Sequence, residues 1–144
     1  MRRYGTAPVP SRAYRDRPGA YGVLWRDGEI LLVEHDGEIL LPGGGIDAGE
    51  SPSQALHREV WEETGWRIGT PRRLGVFARY GWLPDYGYWA RKIQHVFLAR
   101  PIRELGPPAE VDHTPVWAKA ADAPGLLTVE GERRLAEAAL RFFI

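Results

Sequence analysis

The chain has 144 residues, of which 44% are hydrophobic, 26% charged and 11% aromatic. That balance fits one soluble globular domain and excludes disordered, collagen-like and coiled-coil chains. Nineteen basic and nineteen acidic residues cancel, so no net field holds the molecule on a polyanion or an anionic membrane. Cysteine is absent, which removes disulfides and thiolate chemistry and leaves carboxylate, imidazole and hydroxyl groups. Seventeen of the basic residues are arginine, against Lys92 and Lys119 alone; arginine forks suit carboxylates and phosphates. No apolar stretch is long enough for a secretion signal or a membrane span, so a cytoplasmic location is expected.

Residues 1–18 carry five arginines and Pro8, Pro10 and Pro18. They read as a basic arm with little regular structure beyond a short strand near Ala13 to Arg15, preceding a single domain over residues 19–144. Tyr21 to Trp25, Ile30 to Val33 and Ile39 to Leu41 are short apolar runs separated by Asp27-Gly28 and Asp36-Gly37. Asp-Gly pairs in such places predict tight hairpins, because both turn positions need positive φ. Pro42 to Gly45 breaks the strand pattern. Ser51-Pro52-Ser53-Gln54 then opens a helix with a cap, a proline at the first position and a capping box, and Gly65 is placed to end it.

Leu74 to Tyr80 and Lys92 to Ala99 read as strands flanking an aromatic segment, Gly81 to Ala90. Pro101 to Pro115 reads as a loop, followed by a short strand around Trp117. From Thr128 the chain reads as helical, with Leu135, Ala138, Ala139 and Phe142 along one face. The order of strands, helix, strands, helix predicts an α/β or α+β sandwich.

Within the first helix, Glu59, Glu62 and Glu63 fall inside an arc of about 100°. Three carboxylates on one stripe repel, increasingly as water is excluded. A divalent cation converts that repulsion into coordination, and the all-oxygen donor set points to Mg²⁺ or Mn²⁺. A solvated acidic face is the alternative for such a stripe taken alone. The glycine-rich turn upstream favours the ion, since main chain can approach a ligand closely there and the helix N-terminus attracts anions.

Gly44, five residues, Glu50, seven residues and Arg58-Glu59-Val60-Trp61-Glu62-Glu63-Thr64-Gly65-Trp66 resemble a complete Nudix box. Seven fixed letters at roughly 6% usage each coincide by chance on the order of once in 10⁹ starting points. Trp66 departs from the pattern, standing where the family usually has an aliphatic residue. The strand and helix order from Ala20 to Phe143 also resembles the family.

The resemblance implies an α/β/α sandwich with a mixed sheet. It implies hydrolysis, with Mg²⁺ or Mn²⁺, of a pyrophosphate bond in a nucleoside diphosphate derivative or nucleoside triphosphate. By position, Glu59, Glu62 and Glu63 are the implied metal ligands, with the Gly44 carbonyl as a further one. Arg58 is implied to orient a glutamate, and Glu50 to act as ligand or support. For the general base, Glu62 and Glu50 in the box and Glu104, Glu110 and Asp112 on the later loop all stand open, with Glu110 or Asp112 favoured as an extra ligand or base.

Five aromatics between Tyr80 and Trp89 read equally as a nucleobase platform or a homodimer interface. Tyr80, Trp82, Tyr86 and Arg79 are the expected substrate contacts. Trp25, Trp61 and Trp117 read as packing residues, and His113 as an inert loop histidine. The expected partner is a small nucleotide. Two other readings remain: a nucleotide-binding regulator on the same fold without turnover, and an RNA 5′-end pyrophosphohydrolase, which neutral net charge disfavours.

Overall fold

The computed structural model describes residues 1–143. Its strands are β1 (Arg2–Arg3), β2 (Arg15–Arg26), β3 (Glu29–His35), β4 (Glu38–Leu40), β5 (Gly43–Gly45), β6 (Trp66–Ile68), β7 (Arg72–Leu83), β8 (Tyr88–Ala99), β9 (Pro101–Glu104) and β10 (Thr114–Lys119). The helices are α1 (Pro52–Thr64), α2 (Ala123–Leu126) and α3 (Glu130–Ala139), with a 3₁₀ turn over Leu140–Phe142.

The main sheet runs β1-β7-β8-β2-β3-β10, with β4 on β3 and β5 on β2. β2 is parallel to β8 and β1 to β7, while the other pairs in this sheet are antiparallel. β6 and β9 form a separate two-stranded ribbon. Strand alternation sends Ile30 and Leu32 into a core shared with Phe77, Val96, Ala136 and Ala139, and Leu31 into a second core with Leu24, Leu56, Val60 and Phe97. With α3 on the first face and α1 on the second, the result is the expected α/β/α sandwich with a mixed sheet.

Both predicted hairpins form, with φ of 51° and 81° at Asp27 and Gly28 and of 50° and 77° at Asp36 and Gly37. Several elements differ from the sequence reading. The arm is more regular than its composition suggests: β1 pairs with β7, the Tyr4 amide donates to the Ala78 carbonyl at 3.0 Å, and the Tyr4 ring meets Phe77 edge-on at 5.7 Å. β2 starts at Arg15 and so runs across the 18/19 boundary. The aromatic segment is the end of the long β7–β8 hairpin, closed by Gly87 at φ 71°. β9 lies in a stretch that reads as loop, and α2 is a further short helix between β10 and α3.

On α3 the buried residues are Gly131, Glu132, Ala136 and Ala139, whereas Phe142 is exposed in the 3₁₀ turn. Gly131 explains the rotation: a Cβ there would lie 2.3 Å from the Phe77 ring. The helix therefore docks by its smallest residue and carries Glu132 inward. No described helix is long and apolar enough to cross a membrane.

Glu132 is 1% exposed, accepts the Leu41 amide at 2.9 Å and accepts the Gln94 side-chain amide at 2.8 Å. Glu132→Leu leaves both donors buried without a partner and is expected to lower stability by about 2–4 kcal/mol in urea denaturation, against no change if these bonds do not brace the fold.

Candidate active site: a carboxylate cluster beside a cationic cleft

Helix α1 is fixed at both ends by the chemistry its sequence announces. The Ser51 hydroxyl accepts from the Gln54 amide while the Gln54 side chain accepts from the Ser51 amide, and Gly65 closes the helix at φ 78°. Leu56 and Val60 anchor it in the core, so its glutamates face the β5 turn. Gly43, at φ 150°, could not carry a side chain, since a Cβ would lie 2.2 Å from the Ala20 carbonyl oxygen. Its amide donates to Glu63 Oε1 at 3.0 Å. A Cβ at Gly44 would fall 2.7 Å from Glu59 Oε2, so the missing side chain admits that carboxylate against the main chain.

Arg58 is the hub of the cluster. It grips Glu50 through two bonds of 2.7 and 2.9 Å, donates to Glu59 Oε1 at 2.8 Å and the Gly45 carbonyl at 3.0 Å, and reaches Glu62 and Asp47 at 3.4 Å. Its guanidinium, helped by the Asp47 amide, holds the Glu50 carboxyl down at about 2. Glu63 has no such partner. Burial pushes it up to about 9 despite the Gly43 amide, and repulsion from Glu59, Glu110 and Glu62 adds to the shift. Burial raises Glu59 as well, against the pull of Arg58.

The loop before β10 completes the cluster. The Glu110 amide donates to the Glu62 carbonyl at 2.9 Å. Glu59, Glu62 and Glu110 offer oxygens within 4.8 Å of one another, and Glu63, Glu110 and His113 form an overlapping group. The structure thus brings together Glu59, Glu62, Glu63 and Glu110, with Glu50 and Arg58 bracing them. Asp112 turns instead toward His113 and His35, and Glu104 is exposed on β9.

His113 differs from its sequence reading. Its side chain is only 12% exposed, with Nε2 at 3.4 Å from Glu63 and Nδ1 at 3.0 Å from Glu110, and its ring stacks on His35 at 4.2 Å. The antiparallel register placing Thr114 opposite Glu34 brings these two histidines together. Nothing in the linear sequence marks them before that pairing is known.

A cleft of about 230 Å³ lies beside the cluster, walled by Gly43 to Gly45 and Glu63 and by Arg17, Tyr21, Arg79, Lys92 and Tyr86. Arg79 and Tyr86, both expected substrate contacts, face it. Tyr80 and Trp82 do not, because period-two alternation turns them to the opposite face of β7 from Arg79. There Tyr80 meets Tyr14 at 4.8 Å and Trp82 meets Trp89 at 5.4 Å, both edge-on.

Arg12 stacks over Trp89 at 3.7 Å, Arg15 over Tyr88 at 4.7 Å and Arg17 over Tyr86 at 4.3 Å. The arm therefore occupies ring faces that read as open for a nucleobase. Trp25 stacks on Phe143 and Trp117 packs against Trp66, as packing residues should, but Trp61 is 47% exposed. A second depression of about 360 Å³ between Trp25, Leu98, Arg100 and Phe142 contains none of the clustered carboxylates.

The NUDIX domain model matches residues 15–140. The MutT-like protein of Streptomyces ambofaciens is 39% identical over 57 residues, covering 38% of this chain and 37% of that protein. An ADP-ribose pyrophosphatase of Bacillus subtilis is 32% identical over 103 residues, covering 66% of this chain and 52% of that protein. The chain spans about two fifths of the length of the first curated relatives it matches. The crystal structure of a MutT NUDIX hydrolase from Burkholderia pseudomallei superposes with a TM-score of 0.69 at 28% identity, covering 85% of this chain and 97% of that one. With the matched segment running from the first residue of β2 past the end of α3 and enclosing the whole carboxylate helix, the chain belongs to the Nudix family.

Proposed function

We propose that this protein is a divalent-metal-dependent hydrolase that cleaves a pyrophosphate bond in a nucleoside diphosphate derivative or nucleoside triphosphate. The observation that carries this reading is the convergence of Glu59, Glu62, Glu63 and Glu110 beside a cleft lined by cations. The donor set fits a hard cation. Every carboxylate offers oxygen, the one fixed counter-charge is already shared among five acceptor groups through Arg58, and Glu63 is forced toward its neutral form without a cation. Mg²⁺ or Mn²⁺ is the matching choice.

When bound, such an ion lowers the pKa of water and offsets phosphate charge during in-line substitution. The side chains do the rest. Glu59, Glu62 and Glu63 hold the ion together with the Gly44 carbonyl. Arg58 keeps Glu50 and Glu59 in place through charge-assisted bonds, which preserves ligand geometry. Glu110 is the residue we assign to take the proton from the attacking water, in preference to Asp112, which is occupied by the histidine pair. Arg79 and Tyr86 contact the substrate from the cleft. Arg12 and Arg15 of the arm rest on Trp89 and Tyr88 of the β7–β8 hairpin, which supports a small nucleotide substrate over an RNA end.

Glu63→Gln is expected to reduce turnover of a hydrolysed nucleotide by at least about 10²-fold while leaving the circular dichroism spectrum unchanged. Full activity in that variant would remove the assignment.

The buried carboxyl also sets a pH dependence. Glu63 ionises near 4.5 when unfolded and near 9 in the fold without metal, so the unfolded chain loses its proton first and stability falls as pH rises between those values. In chelator, the thermal midpoint should drop across that window. Mg²⁺ should raise it more at about pH 8.5 than at about pH 5.5, because ligands must be deprotonated to bind. A midpoint equally insensitive to pH and to Mg²⁺ would contradict the site.

A further inference from the structure

Three cations stand side by side on the floor of the cleft. In the strand registers, Arg17 of β2 lies opposite Lys92 of β8, and Lys92 lies opposite Arg79 of β7. All three line the same cleft. Like charges directly opposite one another on adjacent strands are destabilising. Among the described residues none of the three has a carboxylate within ion-pair distance, although Arg91, one position from Lys92, forms a two-bond pair with Asp16.

Neutral groups hold the row in place. Arg17 donates to the Tyr86 hydroxyl at 2.8 Å and lies over that ring. Its guanidinium also covers Gly45, where a Cβ would be 3.0 Å from Nη2, so one end of the row touches the turn that carries the carboxylate cluster. Arg79 donates through Nε to Gln94 Oε1 at 2.8 Å, and Gln94 is itself oriented by the buried Glu132. Lys92 is half-buried between the two arginines, and burial together with Arg79 lowers its ammonium to about 8. The fold thus maintains three adjacent cations in a concave site with no carboxylate at ion-pair distance, the charge of Lys92 being offset only in part by the buried Glu132, which lines the cleft with Glu63.

We propose that Arg17, Lys92 and Arg79 form a phosphate-binding row that takes a phosphate group of the substrate additional to the scissile diphosphate. The substrates selected are then those with at least three phosphates, such as nucleoside triphosphates or phosphorylated diphosphate derivatives, over diphosphates that end in an uncharged sugar. This rests on the hydrolase reading above for its kinetic consequence, whereas anion binding by the row does not.

Two measurements separate the two. In calorimetry without divalent metal, inorganic triphosphate should bind the wild-type protein. Lys92→Met should weaken that binding at least about tenfold, the loss of one charge-assisted bond, and Lys92→Arg should restore most of it. In kinetics with Mg²⁺, Lys92→Met should shift the ratio of kcat/KM for GTP to that for ADP-ribose at least about tenfold against GTP. Inorganic triphosphate that binds wild type and Lys92→Met alike, or does not bind at all, overturns the row as an anion site. An unchanged kinetic ratio overturns its part in substrate choice. If neither nucleotide is hydrolysed, the hydrolase reading fails for these substrates while the calorimetry still decides the row.

Discussion

One guanidinium organises the candidate site. Arg58 is a single positive charge set among Glu50, Glu59, Glu62 and Asp47, and it cannot satisfy them all and also reach Glu63. The remaining acid collects where α1 faces a turn of three glycines, which lets carboxylate and main chain approach without intervening side chains. Such crowding is unfavourable in isolation. The helix tolerates it because its two caps and the Leu56 and Val60 contacts hold it in register, an N-cap alone contributing about 1 kcal/mol. The rest of the site depends on this arrangement: a rigid helix, anchored on its apolar face, presents more acid than the protein can neutralise.

Much of this was legible in the sequence because local chemistry determines it. The two Asp-Gly turns, the capping box at Ser51 and the stop at Gly65 each rest on a few adjacent residues, and each formed as read. The carboxylate stripe followed from helical periodicity alone. What escaped reading depends on pairing between distant segments. His113 meets His35 only through the β3–β10 register, and Glu132 turns inward because Gly131 meets Phe77. A helical wheel of α3 favours its apolar residues and has no means of recognising a buried carboxylate whose partners lie on β8 and beside β4.

The aromatic segment shows the same limit from the other side. Counting rings in Tyr80 to Trp89 finds the cluster but not its division between two sheet faces, which the β7–β8 hairpin imposes. Tyr86 faces the cleft, while Tyr80 and Trp82 join Tyr14 and Trp89 behind it. The arm then lays a guanidinium on each of Tyr86, Tyr88 and Trp89, contacts of roughly 0.5–2 kcal/mol apiece depending on solvation. Segments that looked independent, a solvated basic tail and an exposed aromatic patch, pack against each other on both faces of the hairpin.

The parallel pairing of β2 with β8 has a further bearing on how the molecule assembles. Arg15 to Leu24 must wait for Ala90 to Ala99 before this central ladder can close, whereas the β2–β3–β4 hairpins and α1 are built from neighbouring sequence. During synthesis the local hairpins and helix can therefore emerge well before the partner strand, leaving one side of β2 open until β8 has left the ribosome. Non-local closure of this kind slows folding and prolongs the exposure of an unpaired edge. The strand that contributes Arg17 to the cleft is thus made well before the strand that encloses it.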